Sequence, residues 1–263
     1  MDSNPSIGFV GFGNMAQAMA KGLVNCASFP SERLFACAAH YDKLKRNAQA
    51  IGVQPCETPQ QVVDASDIVV VAVKPYQVRD VLAPVREALR SKVVVSVAAG
   101  VLFDDYEEML APGTHHLSTI PNTPIAVGAG VLAVEDAHSL TDEEYATVCG
   151  LFSPIALIEP VPGHLLSVAS GIAGCGPAFA ALFIESLGDA AVKNGLQRAT
   201  AYRLAAQMIR GTGMLYLENG EHPGVMKDAV CSPGGTTIRG VAALERCGFR
   251  NAVISAVDAT LQQ

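Results

Sequence analysis

Short apolar runs alternate with helical periodicity along the first part of the chain. The clearest run, residues 68–73 (IVVVAV), is typical of a strand that is covered on both faces. Further runs of this kind lie at residues 7–10, 34–38, 93–97 and 155–158. Between the runs, apolar positions recur with helical spacing at residues 15–23, 41–51, 103–110 and 139–152. This alternation predicts βαβ units and an α/β fold with a doubly wound, Rossmann-type parallel sheet.

The second part of the chain has a different pattern. From about residue 163 no β-branched run remains, and helical periodicity covers residues 176–195, 199–217 and 235–248. We therefore predict a sheet domain over residues 1–162 and an all-helical domain over residues 163–263. The segment PAFAALFIESLGDAAV, residues 177–192, has few polar positions for a surface helix. Such a helix is expected to be buried on several sides, as in a dimer.

Composition and charge exclude several classes of protein. Half of the 263 residues are apolar, the net charge is −7, and no Lys/Arg run exists, so we expect no nucleic-acid partner. The seven cysteines are scattered without a CxxC pair, which argues against a disulfide framework or a metal site and for a cytoplasmic protein. The leading segment MDSNPS lacks the basic region of a signal peptide. We also expect no apolar stretch that would span a membrane.

A glycine-rich turn follows the first predicted strand. Residues 11–16, GFGNMA, match the pattern G-x-G-x-x-G/A and open a helix, which is the context that a dinucleotide-binding turn requires. Gly11 would permit the tight turn, and Gly13 would let a pyrophosphate approach the backbone. Ala16 would keep the helix close to the sheet. The free N–H groups of the helix N-terminus would face the phosphates.

The end of the second predicted strand bears on which nucleotide is bound. Sites that prefer NAD usually carry an acidic residue there for the ribose hydroxyls, whereas this chain has Ala38, Ala39 and His40. Without an acid, a 2′-phosphate meets no repulsion, so we expect NADPH to be favoured and NADH to be accepted. Lys43, Lys45 and Arg46 follow, although a solvated helix face explains each of them singly.

Three further segments lie at the carboxyl ends of predicted strands, where ligands bind in open α/β sheets. They supply the candidate cofactor-binding residues Ala72, Val73, Lys74, Pro75, Ala98, Ala99, Gly100 and Asn122. Small residues at positions 98–100 would let a flat ring lie close to the backbone. Each segment alone has an ordinary loop interpretation, but together they favour a cofactor cleft.

A second marked turn, SPGGTT at residues 232–237, precedes a predicted helix. Hydroxyls, open N–H groups and a helix N-terminus form a nest that suits a carboxylate. A capped loop between helices explains the same residues equally well, and the two interpretations stay open at this point.

No constellation for acid–base, nucleophilic or metal chemistry is present in the sequence. The histidines show no HExxH spacing, and G-x-S-x-G is missing. A reaction performed by a cofactor that the protein positions fits this lack of catalytic groups.

The sequence resembles the pyrroline-5-carboxylate reductase family. The resemblance rests on GFGNMAQAMAKGL, AVKP, SVAAG, PNTP, SGIAGCGPAF (residues 170–179) and HPGVMKDAVCSPGGTT (residues 222–237). It implies a Rossmann domain followed by a helical domain that dimerises, with dimers often forming a decameric ring. It also implies the reduction of a cyclic imino acid, L-1-pyrroline-5-carboxylate, to L-proline with NAD(P)H.

The resemblance assigns residues to the two ligands. It places the cofactor on Gly11, Phe12, Gly13, Asn14, Met15, on residues 38–40 and 72–75, and on Ala98, Ala99, Gly100 and Asn122. It places the substrate on Val230, Ser232, Gly234, Gly235, Thr236 and Thr237, contributed by the partner subunit. Thr237 matches the hydroxyl that approaches the ring nitrogen and is the candidate catalytic residue.

Two departures and two alternatives accompany the resemblance. In the glycine block, Ala173 and Cys175 stand where the family usually carries serines, which puts a side-chain role there in doubt. The second departure is Cys231, which stands where a serine is common and is expected to be a small buried filler. One alternative is a 3-hydroxyacid dehydrogenase, but Ala180 and Phe183 occupy the positions of that family's lysine and asparagine. The other alternative is a non-enzymatic NADP(H) sensor, which would not need the turn at residues 232–237.

Overall fold

A computed structural model describes residues 5–261 of the chain. The chain forms two compact units, one that ends at Pro177 and one that begins at Ala178. Within residues 5–261, the first unit contains eight strands, and the second contains helices joined by loops and no strand. The domain boundary between residues 162 and 163 stays a prediction. By their contacts, the helical residues that directly follow it belong to the first unit.

The first unit is built on one eight-stranded sheet with the order β3-β2-β1-β4-β5-β6-β7-β8. The strands are β1 (Ile7–Val10), β2 (Leu34–Cys37), β3 (Gln54–Pro55), β4 (Ile68–Val71), β5 (Val93–Ser96), β6 (His115–Pro121), β7 (Gly130–His138) and β8 (Ala156–Val161). Its helices are α1 (Asn14–Cys26), α2 (Tyr41–Gln49), α3 (Pro59–Ala65), α4 (Val78–Leu82), α5 (Phe103–Met109), α6 (Asp142–Phe152) and α7 (Leu166–Ala169), which a π-helical turn (Ser170–Gly174) follows. Short 3₁₀ turns occupy Ser31–Arg33, Pro75–Gln77, Ala83–Val85, Ala88–Ser91, Thr123–Val127 and Gly163–Leu165.

The predicted α/β class is confirmed, with one correction to the parallel sheet. Strands β1 to β6 pair in parallel, but β7 runs antiparallel to β6 and is itself parallel to β8. The sequence analysis did not predict β7, because only residues 131–134 of this strand form an apolar run, and Glu135, Asp136 and His138 follow it. The order reverses between β1 and β4, which is the topological switch point of a doubly wound sheet.

Both faces of the sheet are covered, as the apolar runs predicted. Ile7, Phe9 and Val70 contribute to one buried cluster. Val10 and Val71 contribute to a second cluster. Successive strand residues point to opposite faces, so an uninterrupted apolar run buries both. The sheet is therefore a rigid base for the loops at its carboxyl edge.

The second unit contains most of α8 (Gly176–Lys193), together with α9 (Arg198–Asn219), α10 (Pro223–Ala229), α11 (Thr236–Arg246) and α12 (Phe249–Leu261). Within its described residues only Gly188, Ala201 and Ala205 are buried. Large apolar side chains such as Leu182 (63% exposed) and Ile254 (60% exposed) lie open. These helices bury little apolar surface against one another, so most of their apolar area is available for another chain.

The sequence expectation that no stretch could span a membrane is wrong by length and composition. Within the described residues, one helical run, Gly163–Lys193, is long enough to span a membrane and contains an 18-residue stretch with a mean hydropathy of 1.7. A single such helix is weak support for a membrane span, because an apolar helix that packs against other protein segments has the same length and composition.

Candidate functional site

The first glycine of the turn after β1 is fixed by its backbone. Gly11 has φ +96°, a conformation that side chains disfavour. A Cβ atom there would lie 2.7 Å from the carbonyl oxygen of Ala72 and 2.8 Å from Cγ1 of Val73. The Gly11 N–H donates to the carbonyl oxygen of Cys37 at 3.0 Å. The turn therefore lies tightly between the ends of β2 and β4, and only glycine fits.

The second glycine has the opposite environment. Gly13 is the N-cap of α1 with φ −78°, is exposed, and would place a Cβ atom in open space. Within residues 5–261, no side chain caps this helix end, and its first turn contains no acidic residue. Open N–H groups and the positive end of the helix dipole thus face solvent. This opening fits a pyrophosphate, because nothing else pairs with the helix end and the room beside Gly13 is free.

The end of β2 carries no carboxylate, as the sequence predicts for a site that accepts a 2′-phosphate. Ala39 and His40 are exposed, and His40 is the N-cap of α2. The ammonium of Lys45 lies 3.1 Å from Asp42 and 4.7 Å from the ring centroid of Tyr41. Lys45 is therefore already paired within α2. Lys43 and Arg46 are exposed and take no part in these two contacts.

The three other predicted cofactor segments follow neighbouring strands. Residues 72–75 follow β4, residues 98–100 follow β5, and Asn122 follows β6. These strands are adjacent in the sheet and β4 borders β1, so the structure brings the four segments to one edge. Ala99 and Gly100 are exposed, and Gly100 has φ +78° with open space on its Cβ side. Residues 98–100, the floor of this edge, therefore carry open backbone, and a nicotinamide ring lying on them stays a prediction.

Asn122 has a structural role that the sequence did not show. It is 6% exposed, its Nδ2 donates to the carbonyl oxygen of Ala173 at 2.9 Å, and its Oδ1 accepts from the N–H of Val131 at 2.8 Å. The side chain thus joins β6, β7 and the π-helical turn. Its contact with a cofactor stays a prediction. Because Ala173 takes part through its backbone carbonyl, a serine hydroxyl at that position is not needed for this contact.

A buried hydrogen-bond network supports residues 98–100 from behind, and sequence reasoning missed it. Tyr106 on α5 donates to Ser96 Oγ at 2.6 Å, and the N–H of Ala98 donates to the same oxygen at 3.1 Å. The carboxylate of Glu135, 4% exposed, accepts from the N–H of Phe103 at 2.9 Å. Burial raises the pKa of Glu135 above its usual range. The only sequence signal was an acid placed directly after the apolar residues 131–134 of β7.

The histidines of β6 belong to structure rather than to a catalytic group. His116 is 1% exposed, its Nε2 lies 2.7 Å from Glu107 Oε1, and its ring stacks on Phe103. Burial lowers the pKa of His116. His115 Nδ1 lies 2.7 Å from Glu144 at the start of α6. Among the described residues, no group of three or more His, Cys, Asp or Glu could hold a metal ion.

The second predicted site lies in the helical unit, at the start of α11. Gly234 has φ +68°, Gly235 is the N-cap, and its N–H donates to the carbonyl oxygen of Ser232 at 3.0 Å. The helix end has no side-chain cap among the described residues, and Thr236 and Thr237 are exposed. Val230 is 64% exposed. The turn is therefore an open helix N-terminus with two hydroxyls, which suits a carboxylate.

Two family models match separate parts of the chain. The family model for pyrroline-5-carboxylate reductase dimerisation matches residues 164–263. The model for coenzyme F420-dependent NADP oxidoreductase matches residues 6–100. The first match covers the helical part, and the second covers the glycine turn together with the segments after β2, β4 and β5.

Individual relatives match over nearly the whole chain. The pyrroline-5-carboxylate reductase of Treponema pallidum is 44% identical, with 97% of this chain and 98% of the relative covered. That of Escherichia coli is 37% identical, covering 98% and 96%. The crystal structure of Plasmodium falciparum pyrroline carboxylate reductase with NADP bound has a TM-score of 0.86 at 31% identity, covering 98% of this chain and 95% of that one.

Proposed function

The chain belongs to the pyrroline-5-carboxylate reductase family, and on that premise we propose that it reduces L-1-pyrroline-5-carboxylate to L-proline with NADPH. The observation that carries this proposal is the open glycine turn at the uncapped end of α1, beside the flat floor after β5. The sequence carries no recognisable acid–base constellation, which suits the substrate. A protonated cyclic imine already has an electrophilic carbon and needs mainly to be positioned.

We assign the cofactor to the carboxyl edge of the sheet. Gly11, Phe12, Gly13, Asn14 and Met15 would hold the pyrophosphate. Residues 38–40 would face the adenosine ribose, and residues 72–75 and 98–100 would continue along the edge towards the nicotinamide. When bound, NADPH supplies a hydride to the imine carbon. The lack of an acid after β2 supports NADPH over NADH, although both are expected to bind.

We assign the substrate to the turn at the start of α11. The N–H groups of Gly234 and Thr236 would bind the carboxylate, and Gly235, Ser232 and Val230 would line the site. The Thr237 hydroxyl would donate to the ring nitrogen of the neutral imine and would accept from its N–H once the nitrogen is protonated. A hydroxyl has too high a pKa to be a good free acid, so Thr237 orients the ring or relays a proton from water. With the ring fixed, one face of the imine carbon is presented to the hydride donor.

We propose that a partner subunit supplies this turn. The exposed apolar helices of the second unit and the match to a dimerisation family support a homodimer, with the residues from 163 as its dimerisation domain. In such a dimer another subunit, rather than lipid, covers the apolar run Gly163–Lys193. A ring of five dimers is a further expectation from the family resemblance, and a cytoplasmic location is one from the scattered cysteines. Light scattering of the purified protein distinguishes a dimer from a decamer.

Turnover measured by NADPH absorbance tests the proposed function. We expect NADPH to be consumed with pyrroline-5-carboxylate and proline to form, with a higher kcat/KM than NADH gives. NADPH binding without consumption would support the sensor alternative. Oxidation of a 3-hydroxyacid would support the dehydrogenase alternative, which Ala180 at the position of that family's proton-accepting lysine already disfavours.

A further inference from the structure

A single oxygen joins a strand, a loop and a helix behind the floor of the cofactor site. Ser96 is the last residue of β5 and is 1% exposed. Its Oγ accepts from the hydroxyl of Tyr106 at 2.6 Å and from the N–H of Ala98 at 3.1 Å. Tyr106 lies on α5, three residues into the helix, and is fully buried. The position of the Ala98 backbone relative to the sheet is therefore linked, through Ser96, to Tyr106 on α5.

Tyr106 is unsuited to act on a ligand directly. Burial raises the pKa of Tyr106 to about 12, so the phenol keeps its proton at physiological pH. The exposed side of the loop is formed by Ala99 and Gly100, whereas none of Tyr106 reaches the surface. Any effect of this hydroxyl on a bound ligand must pass through Ser96 and the loop.

The other end of the loop is also held in place. The N–H of Leu102 donates to Asp105 Oδ2 at 2.9 Å, and the N–H of Phe103 donates to Glu135 Oε2 at 2.9 Å. These bonds fix the start of α5, so the loop between Ala98 and Leu102 is short and anchored on both sides. Loss of the Tyr106 bond leaves the Ala98 N–H as the remaining one of these two contacts to Ser96 Oγ, which loosens the end that carries Ala98 while the Glu135 contact at the other end remains.

We propose that Tyr106 is a positioning residue for hydride transfer, holding residues 98–100 at the height that places the nicotinamide against the imine. This inference rests on the proposed function, since the height of the loop matters only when a nicotinamide lies on it. The loop follows β5, two strands from β1 across the switch point, on the side opposite the β2 end where the adenosine ribose is expected. Hydride transfer depends steeply on the donor–acceptor distance, whereas binding depends on it weakly.

The variant Tyr106→Phe removes the hydroxyl and keeps the ring. We expect kcat to fall about fivefold, the size of an ordinary lost hydrogen bond, with KM for the imine almost unchanged. The deuterium isotope effect with 4-deuterated NADPH should rise, because hydride transfer then limits the rate more. Hydrogen exchange in the enzyme without nucleotide should speed up at the amides of residues 97–101. A purely structural loss would lower stability without changing the isotope effect.

Tyr145→Phe is the matched control. Tyr145 lies on α6, stacks on His138 at 4.8 Å and bonds through its hydroxyl to Cys149. The same chemical change there should leave kcat, the isotope effect and exchange at residues 97–101 as in the wild type.

Ser96→Ala tests the route of the effect and replaces the first variant if that fails to fold. Because Tyr106 acts through Ser96, adding Tyr106→Phe to Ser96→Ala should lower kcat no further. Unchanged kcat, isotope effect and loop exchange in Tyr106→Phe, or additive losses in the double variant, would overturn the inference. A wild-type enzyme without turnover would instead refute the proposed function, while the exchange measurement would still report on the Tyr106 contact.

Discussion

Gly11 and Gly13 belong to one motif, but replacing each by alanine should have a different effect. Gly11→Ala should lower the stability of the protein, and Gly13→Ala should lower its affinity for NADPH. At Gly11 the new Cβ would lie 2.7 Å from the Ala72 carbonyl oxygen, and φ is +96°. We expect this strain to cost about 2–3 kcal/mol and to lower Tm by roughly 4–12 °C. At Gly13 the Cβ would meet nothing within 4 Å and φ is −78°. Stability should therefore change by less than about 1 kcal/mol.

Nucleotide affinity should separate the two variants further. Gly13→Ala puts a methyl group where the pyrophosphate approaches the backbone, so at least one charge-assisted hydrogen bond is lost. That loss corresponds to about 1.5–3 kcal/mol, or roughly a 10- to 150-fold rise in the Kd for NADPH. Thermal unfolding without nucleotide and titration of NADPH fluorescence measure the two effects independently.

Gly150→Ala provides the control for the substitution itself. Gly150 lies exposed on α6, and a Cβ there meets nothing within 4 Å. Alanine should raise stability there by about 0.5–1 kcal/mol and leave the Kd unchanged. The reasoning is refuted if Gly11→Ala is as stable as the wild type, or if Gly13→Ala binds NADPH with unaltered affinity.

Three further predictions concern the substrate turn, the buried acid and the helical unit. Thr237→Ala should lower kcat/KM roughly tenfold or more, and more than Thr236→Ala, with the Kd for NADPH unchanged; equal losses would contradict the contact assigned to Thr237. Burial raises the pKa of Glu135, so the native state favours its protonated form and loses stability as pH rises through that pKa. Glu135→Gln should therefore raise Tm at pH 8 by an amount that vanishes below about pH 4, whereas a pH-independent difference would refute the assignment. Gly188→Val would force a side chain into the Tyr202 ring and should lower Tm by roughly 2–12 °C and shift the protein towards monomer in light scattering; an unchanged dimer of unchanged Tm would contradict this packing.

Much of the cofactor edge was predictable from local sequence. Each signal lies within a few residues and concerns the local backbone or the local charge. The signals are the glycine turn, the missing acid after β2 and the small residues at 98–100. The apolar runs then order these segments, because the carboxyl ends of parallel strands share one edge. The structure confirms that the segments meet there, while their contacts with NADPH and imine remain proposals.

The sequence by itself determined the α/β class, the change to helices near residue 163 and the position of the glycine turn, since periodicity and glycine conformation are local properties. Only the tertiary structure decided that β7 is antiparallel and that Tyr106 meets Ser96. It also decided that the side-chain amide of Asn122 donates a hydrogen bond to the carbonyl oxygen of Ala173. These contacts join residues on different elements, and strand register and helix placement set which side chains meet. Neither is encoded in a short stretch of sequence, because each depends on how the whole sheet pairs and packs.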